Sequence, residues 1–127
     1  MMGDVLRAVG LAFALALVLA TRPSGAGGDA GRGQTFYEEC IACHSTEKGV
    51  NGVGPSLAGI VGSKAGDVEG FRFSGPMRRS GIVWTPESLN RFLADPQAVV
   101  PGTRMPYSGM ADAADRAALI QYLGSLE

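Results

Sequence analysis

An all-α chain with long irregular connections is the fold class this sequence predicts, and three observations carry it. Two segments, 85–94 and 112–126, repeat apolar residues at three- and four-residue spacing behind good N-caps. No window alternates apolar and polar residues convincingly as a half-buried strand does. Gly 19 and Pro 7 in 127 residues, about a fifth of the chain, demand many turns.

The elements follow in order from the N-terminus. Ala8 to Ala20 holds no polar side chain. As a helix this run spans about 20 Å, short of the roughly 30 Å of a hydrocarbon core. It follows Arg7 and precedes the small, helix-breaking stretch Thr21 to Gly28. This pattern reads as a cleaved secretory signal peptide over 1–26, with Ala20 and Ala26 as alternative cleavage points. Retention as a membrane anchor is the other reading. One domain, 27–127, remains. Removing 1–26 takes away Asp4, Arg7 and Arg22 and leaves 11 acidic and 9 basic residues. The full chain's formal charge of −1 already argues against a nucleic-acid binder, which needs a basic face.

Asp29 is placed to cap a first helix running to Cys40, with Phe36 and Cys40 four apart on one face and Gly31 and Gly33 weakening its start. From 45 to 80 glycines recur too often for a helical period to last, and the segment reads as loop. The second helix has Thr85 as N-cap, Pro86 at its first position, Glu87 at the positive dipole end and Leu89, Phe92 and Leu93 as its buried stripe. Asp95-Pro96 stops it. A third helix starts near Asp112 and lines up Leu119, Tyr122, Leu123 and Leu126.

The chemistry lies in Cys40-Ile41-Ala42-Cys43-His44. Cysteines three apart on a helix end face nearly the same side and can each bond a vinyl group of one haem, while the adjacent imidazole faces the iron. A disulfide between Cys40 and Cys43 and a thioredoxin-like redox pair are the competing readings, the latter lacking its βαβ setting. Zinc falls one ligand short, because the chain has two Cys and a single His. The same single His excludes bis-histidine ligation, so the sixth iron position points to a thioether: Met77, Met105 or Met110. Met105 sits in the stiff stretch Pro101-Gly102-Thr103-Arg104-Met105-Pro106, 61 residues beyond His44, and is preferred, with Met110 second.

Cys40 to His44, Gly54-Pro55-Ser56-Leu57, Gly70-Phe71, Gly81-Ile82-Val83-Trp84 and Pro101 to Met105 together resemble the small soluble class I cytochromes c of bacteria and mitochondria, in order and spacing, from about Asp29 to Leu126. The resemblance implies loops wrapped around one covalent haem c, with crossing N- and C-terminal helices and Phe36 meeting Tyr122 or a neighbour. It implies that the Pro55 carbonyl accepts from the His44 ring, that Trp84 bonds a propionate, and that Thr103 steadies the Met105 loop. Departures are Phe73 and Phe92 where the family often has tyrosines, Ser63 where arginine is common, and Met77 where asparagine is common. The pocket is thus expected to be less polar than usual, with Met105 held more by packing than by donors.

A closed His44/Met105 iron suits a one-electron carrier rather than an enzyme, since no general base is left. A haem-based gas sensor or haem enzyme subunit with a labile sixth ligand is the alternative. The resemblance further implies a monomer in the periplasm, working between a cytochrome bc1-type donor and an oxidase, reductase or reaction-centre acceptor, with transient membrane-surface contact. Arg72, Arg78, Arg79, Arg91 and Arg104 are candidates for a small positive docking face in place of the family's lysine ring.

Overall fold

The computed structural model describes residues 26–127. The signal peptide expected over 1–26, and its cleavage points, lie outside these residues but for Ala26. Five helices follow one another among the described residues: α1 (Ala26–Tyr37), α2 (Gly75–Arg79), α3 (Pro86–Ala94), α4 (Pro96–Val99) and α5 (Ala113–Gly124). Among the described residues the only extended pairing is an isolated antiparallel bridge between Lys64 and Val83. The all-α class therefore holds, and no helix of the described residues is long and apolar enough to cross a membrane.

Local signals explain the two helices read best from sequence. The Thr85 hydroxyl accepts from the Ser88 N–H while the Ser88 hydroxyl accepts from the Thr85 N–H, a reciprocal cap that starts α3. Asp112 accepts from Ala114 and Asp115 N–H and starts α5. Several expectations need correction. The first helix already includes Ala26, the first described residue, so Asp29 lies inside it and is not its cap. That helix also ends at Tyr37 rather than Cys40, the chain tightening into three-residue turns beyond it. Asp95-Pro96 ends α3 as expected but starts α4 as well, the Asp95 carboxylate accepting from the Ala98 N–H. Within the expected 45–80 loop, Ser74 caps the short α2, which is too brief for any periodicity to reveal.

α1 packs across α5. Gly33 faces the Ala118 carbonyl and the Tyr122 Cβ so closely that any side chain there collides with backbone. The ring that meets Tyr122 belongs to Tyr37, with centroids 5.4 Å apart, and not to Phe36. Phe36 is half-buried against the core, beneath the Arg32 guanidinium at 5.6 Å. α3 also packs on α5, where Arg116 donates to Asn90 and to the carbonyls of Met110 and Ala111. Leu119, 1 % exposed, sits at the centre of this helical cluster. Burying such a leucine stabilises the fold by about 2 kcal/mol.

Candidate cofactor-binding cleft

The helices and the 45–80 loop enclose a cleft of about 440 Å³. Cys40, Cys43, His44, Pro55, Trp84, Thr103 and Met105, all singled out from sequence, line it. Leu89, Phe92, Leu93 and Leu119 from α3 and α5 give it an apolar interior.

The segment after α1 builds the first part of the site. Cys40 N–H bonds the Tyr37 carbonyl at 2.8 Å, and the N–H groups of Cys43 and His44 both bond the Cys40 carbonyl, at 3.1 and 2.9 Å. This turn carries both half-buried thiols and the imidazole to the cleft. His44 Nδ1 lies 2.7 Å from the Pro55 carbonyl oxygen. A carbonyl only accepts, so Nδ1 holds a proton, and in the neutral ring Nε2 carries the lone pair. Gly54 lies against the same ring: a Cβ there would stand 2.5 Å from His44 Cε1. The loop is tied back by Gly54 N–H to the Cys43 carbonyl and by Leu57 N–H to the Ser45 carbonyl, both at 2.8 Å. Tyr37 Oη donates to the His44 carbonyl at 3.1 Å, joining this turn to the α1–α5 crossing.

The Met105 segment is held differently. Buried Thr103 donates its N–H to the Val100 carbonyl at 3.0 Å, and its own carbonyl accepts from Gln97 Nε2 at 2.9 Å. Its hydroxyl accepts from the Met105 N–H at 3.5 Å, at the long limit of a hydrogen bond. Met105 lines the cleft, whereas Met110 is packed in the apolar core with its N–H on the Leu93 carbonyl. Met77 on α2 also reaches the cleft and is 8 % exposed. Phe73 and Phe92 line it too, Phe92 tilted against Trp84 at 4.9 Å, so these departures do give an apolar surface. Ser63 instead turns its hydroxyl onto the Ile60 carbonyl at 2.6 Å.

Sequence reasoning missed Glu39, Lys64 and Tyr107 as lining residues. Glu39 and Tyr107 flank Cys40 and Met105 closely in the chain, which is the one signal that pointed to them. Tyr107 Oη donates to the Glu39 carboxylate at 3.3 Å across 68 residues of sequence. Burial first, then the Glu39 charge and hydrogen bond, push the Tyr107 phenol up to about 12. Burial likewise pushes the Cys40 thiol up to about 11, with Glu39 and Cys43 adding to it. All five arginines considered for a docking face are exposed, and Arg72 and Arg104 reach the cleft.

Two thiols on one turn, an imidazole with an oriented lone pair and a thioether, around an apolar cavity, form a donor set suited to an iron porphyrin held by thioether links. The cytochrome c family model matches residues 30–127. Cytochrome c2 iso-2 of Magnetospirillum fulvum is 54% identical over 87 residues, covering 68% of this chain and 91% of that protein. Cytochrome c of Euglena viridis is 43% identical over 101 residues, covering 79% of this chain and 99% of that protein. The structure of cytochrome cH from Methylobacterium extorquens superposes with a TM-score of 0.73 at 43% identity, covering 77% of this chain and 99% of that one.

Proposed function

The chain belongs to the cytochrome c family, which binds covalent haem c and acts in electron transport, and from that premise we propose that it is a soluble one-electron carrier with a single haem c bonded through Cys40 and Cys43 and ligated by His44 and Met105. The observation that carries the ligand assignment is the 2.7 Å contact from His44 Nδ1 to the Pro55 carbonyl, which leaves Nε2 free in the cleft that Met105 also lines. When bound, the haem supplies a one-electron iron couple whose potential a thioether ligand raises.

The chain's own residues do the rest. Pro55 fixes the tautomer and the plane of the His44 ring, and the tightly turned 40–44 segment places both sulfurs beside it. Met105, which lines the same cleft, would be the second protein ligand and would keep small molecules from the bound iron. Leu89, Phe92, Leu93 and Phe73 exclude water and favour the less charged, reduced state of the site. Trp84 is assigned to donate its indole N–H to a propionate, and Thr103 to steady the Met105 segment. With His44 held by the metal its imidazole is not available as a general base, which favours a carrier over an enzyme.

Replacing Met105 with Ala should abolish the Fe(III)–thioether charge-transfer band, lower the potential and open the reduced protein to carbon monoxide. Persistence of the band would move the ligand to Met77 or Met110. Rapid carbon monoxide binding by the unaltered protein would favour the gas-sensor reading instead. On this proposal the carrier works in the periplasm, as a monomer between a cytochrome bc1-type donor and an oxidase, reductase or reaction-centre acceptor, a reading supported by its likeness to cytochromes c2. Arg72 and Arg104, with Lys64, supply positive charge at the cleft toward acidic partners. Doubling the ionic strength should then slow reduction by the partner, and an unchanged rate counts against this docking charge.

A further inference from the structure

We propose that Tyr107 and Glu39 form a clamp that holds the Met105 segment onto the cysteine-bearing turn, so that Tyr107 is a positioning residue for the sixth ligand. The proposal builds on the His44/Met105 assignment. Glu39 immediately precedes Cys40, and Tyr107 follows Met105 by two residues. Both line the cleft, and the phenol donates to the carboxylate at 3.3 Å. This bond therefore joins segments that meet only in the folded chain.

The need for such a tie follows from the rest of the Met105 segment. The Met105 N–H reaches Thr103 Oγ1 only at 3.5 Å. The firm ties upstream stop at Thr103, whose N–H bonds the Val100 carbonyl at 3.0 Å and whose carbonyl accepts from Gln97 Nε2 at 2.9 Å. Gly102 sits at φ +86 and Pro106 donates no N–H, so the part of the segment beyond Thr103, which carries Met105, is the part least held by local bonds. Phe92 and Phe73 bring only rings to the cleft and no hydroxyl. Tyr107 supplies a donor two residues after the ligand, and its phenol reaches Glu39, an exposed carboxylate on the cysteine-bearing turn. Its ring also adds apolar cover, being part-buried against the core cluster. Loss of the bond frees the segment to swing Met105 away from the cleft while leaving the His44 turn intact.

The test uses the holoprotein with Tyr107→Phe, Glu39→Ala, Glu39→Gln and the Tyr107→Phe/Glu39→Ala pair. Amide hydrogen exchange at Thr103 and Met105, and the rate at which imidazole replaces the sixth ligand of the oxidised protein, are measured in each. Tyr107→Phe and Glu39→Ala should each accelerate both by about threefold to fivefold, the size of one net hydrogen bond. Glu39→Gln keeps an acceptor and should stay close to the unaltered rates, and the double variant should be no faster than either single one. Unchanged exchange in both single variants, or multiplying effects in the double variant, overturns the clamp. Absence of the thioether band from the unaltered protein overturns the Met105 assignment instead, and the exchange data still decide whether the two segments are tied.

Discussion

The two segments that bring ligands to the cleft differ in how near the ligand their short hydrogen bonds lie. Around His44, bonds of 2.7 to 2.9 Å recur: the ring to Pro55, Gly54 to Cys43, Leu57 to Ser45 and His44 to Cys40. Around Met105 the short bonds stand away from the ligand, at Thr103 (2.9 and 3.0 Å) and Met110 (2.8 Å). The Met105 N–H itself reaches only 3.5 Å, and fit adds to these bonds, with Gly109 pressed against α3 and Met110 sunk in the core. The ligand chemistry explains the difference. An imidazole has two nitrogens and a plane, so it needs an acceptor to choose the tautomer and fix the ring. A thioether has no proton to orient and is a weak acceptor, so packing is the means left to place it.

The contrast can be broken from either side. Gly109 sits at φ +117, and a Cβ there would enter the space of the Ala94 carbonyl. Gly109→Ala should cost about 3 kcal/mol or more, because backbone must move, and denaturation should lose the thioether band first. Gly54→Ala strikes the other segment, where a side-chain ring rather than backbone meets the new methyl at 2.5 Å from Cε1. We expect about 2 kcal/mol of lost stability in urea unfolding, together with a ring displaced from Pro55. If Gly54→Ala proved the costlier of the two, the His44 side would be the one dependent on fit. Tyr37→Phe removes a single bond, from the phenol to the His44 carbonyl, and should cost about 1 kcal/mol by the same measurement. Arg32→Ala serves as the baseline. Its ion pair with Asp115 is half-exposed, at 49%/27% side-chain accessibility, and its loss should shift stability by no more than about 0.5 kcal/mol.

Sequence made the cofactor chemistry legible because Cys40, Cys43 and His44 are contiguous and their roles depend on spacing within one turn. Met105 emerged by elimination and by the stiffness of its segment, and the cleft includes it while leaving out Met110. Pro55, Trp84 and Thr103 came through a family resemblance, and all three line the same cleft. Other features left no trace. Nothing in a five-residue segment announces α2, and the Tyr37–Tyr122 and Tyr107–Glu39 contacts join residues far apart in the chain. The Asp29 cap was misplaced because a capping residue type inside a glycine-rich start is no proof that the helix begins there.

By itself the sequence determined α3 and α5, whose caps and apolar stripes are settled within ten or so residues, and the sulfur-and-imidazole turn, whose geometry is equally local. Only the tertiary structure decided which tyrosine meets Tyr122, which methionines reach the cleft and which carboxylate ties down Tyr107. Those choices depend on the direction each side chain takes once helices have packed, and sequence separation does not encode that direction.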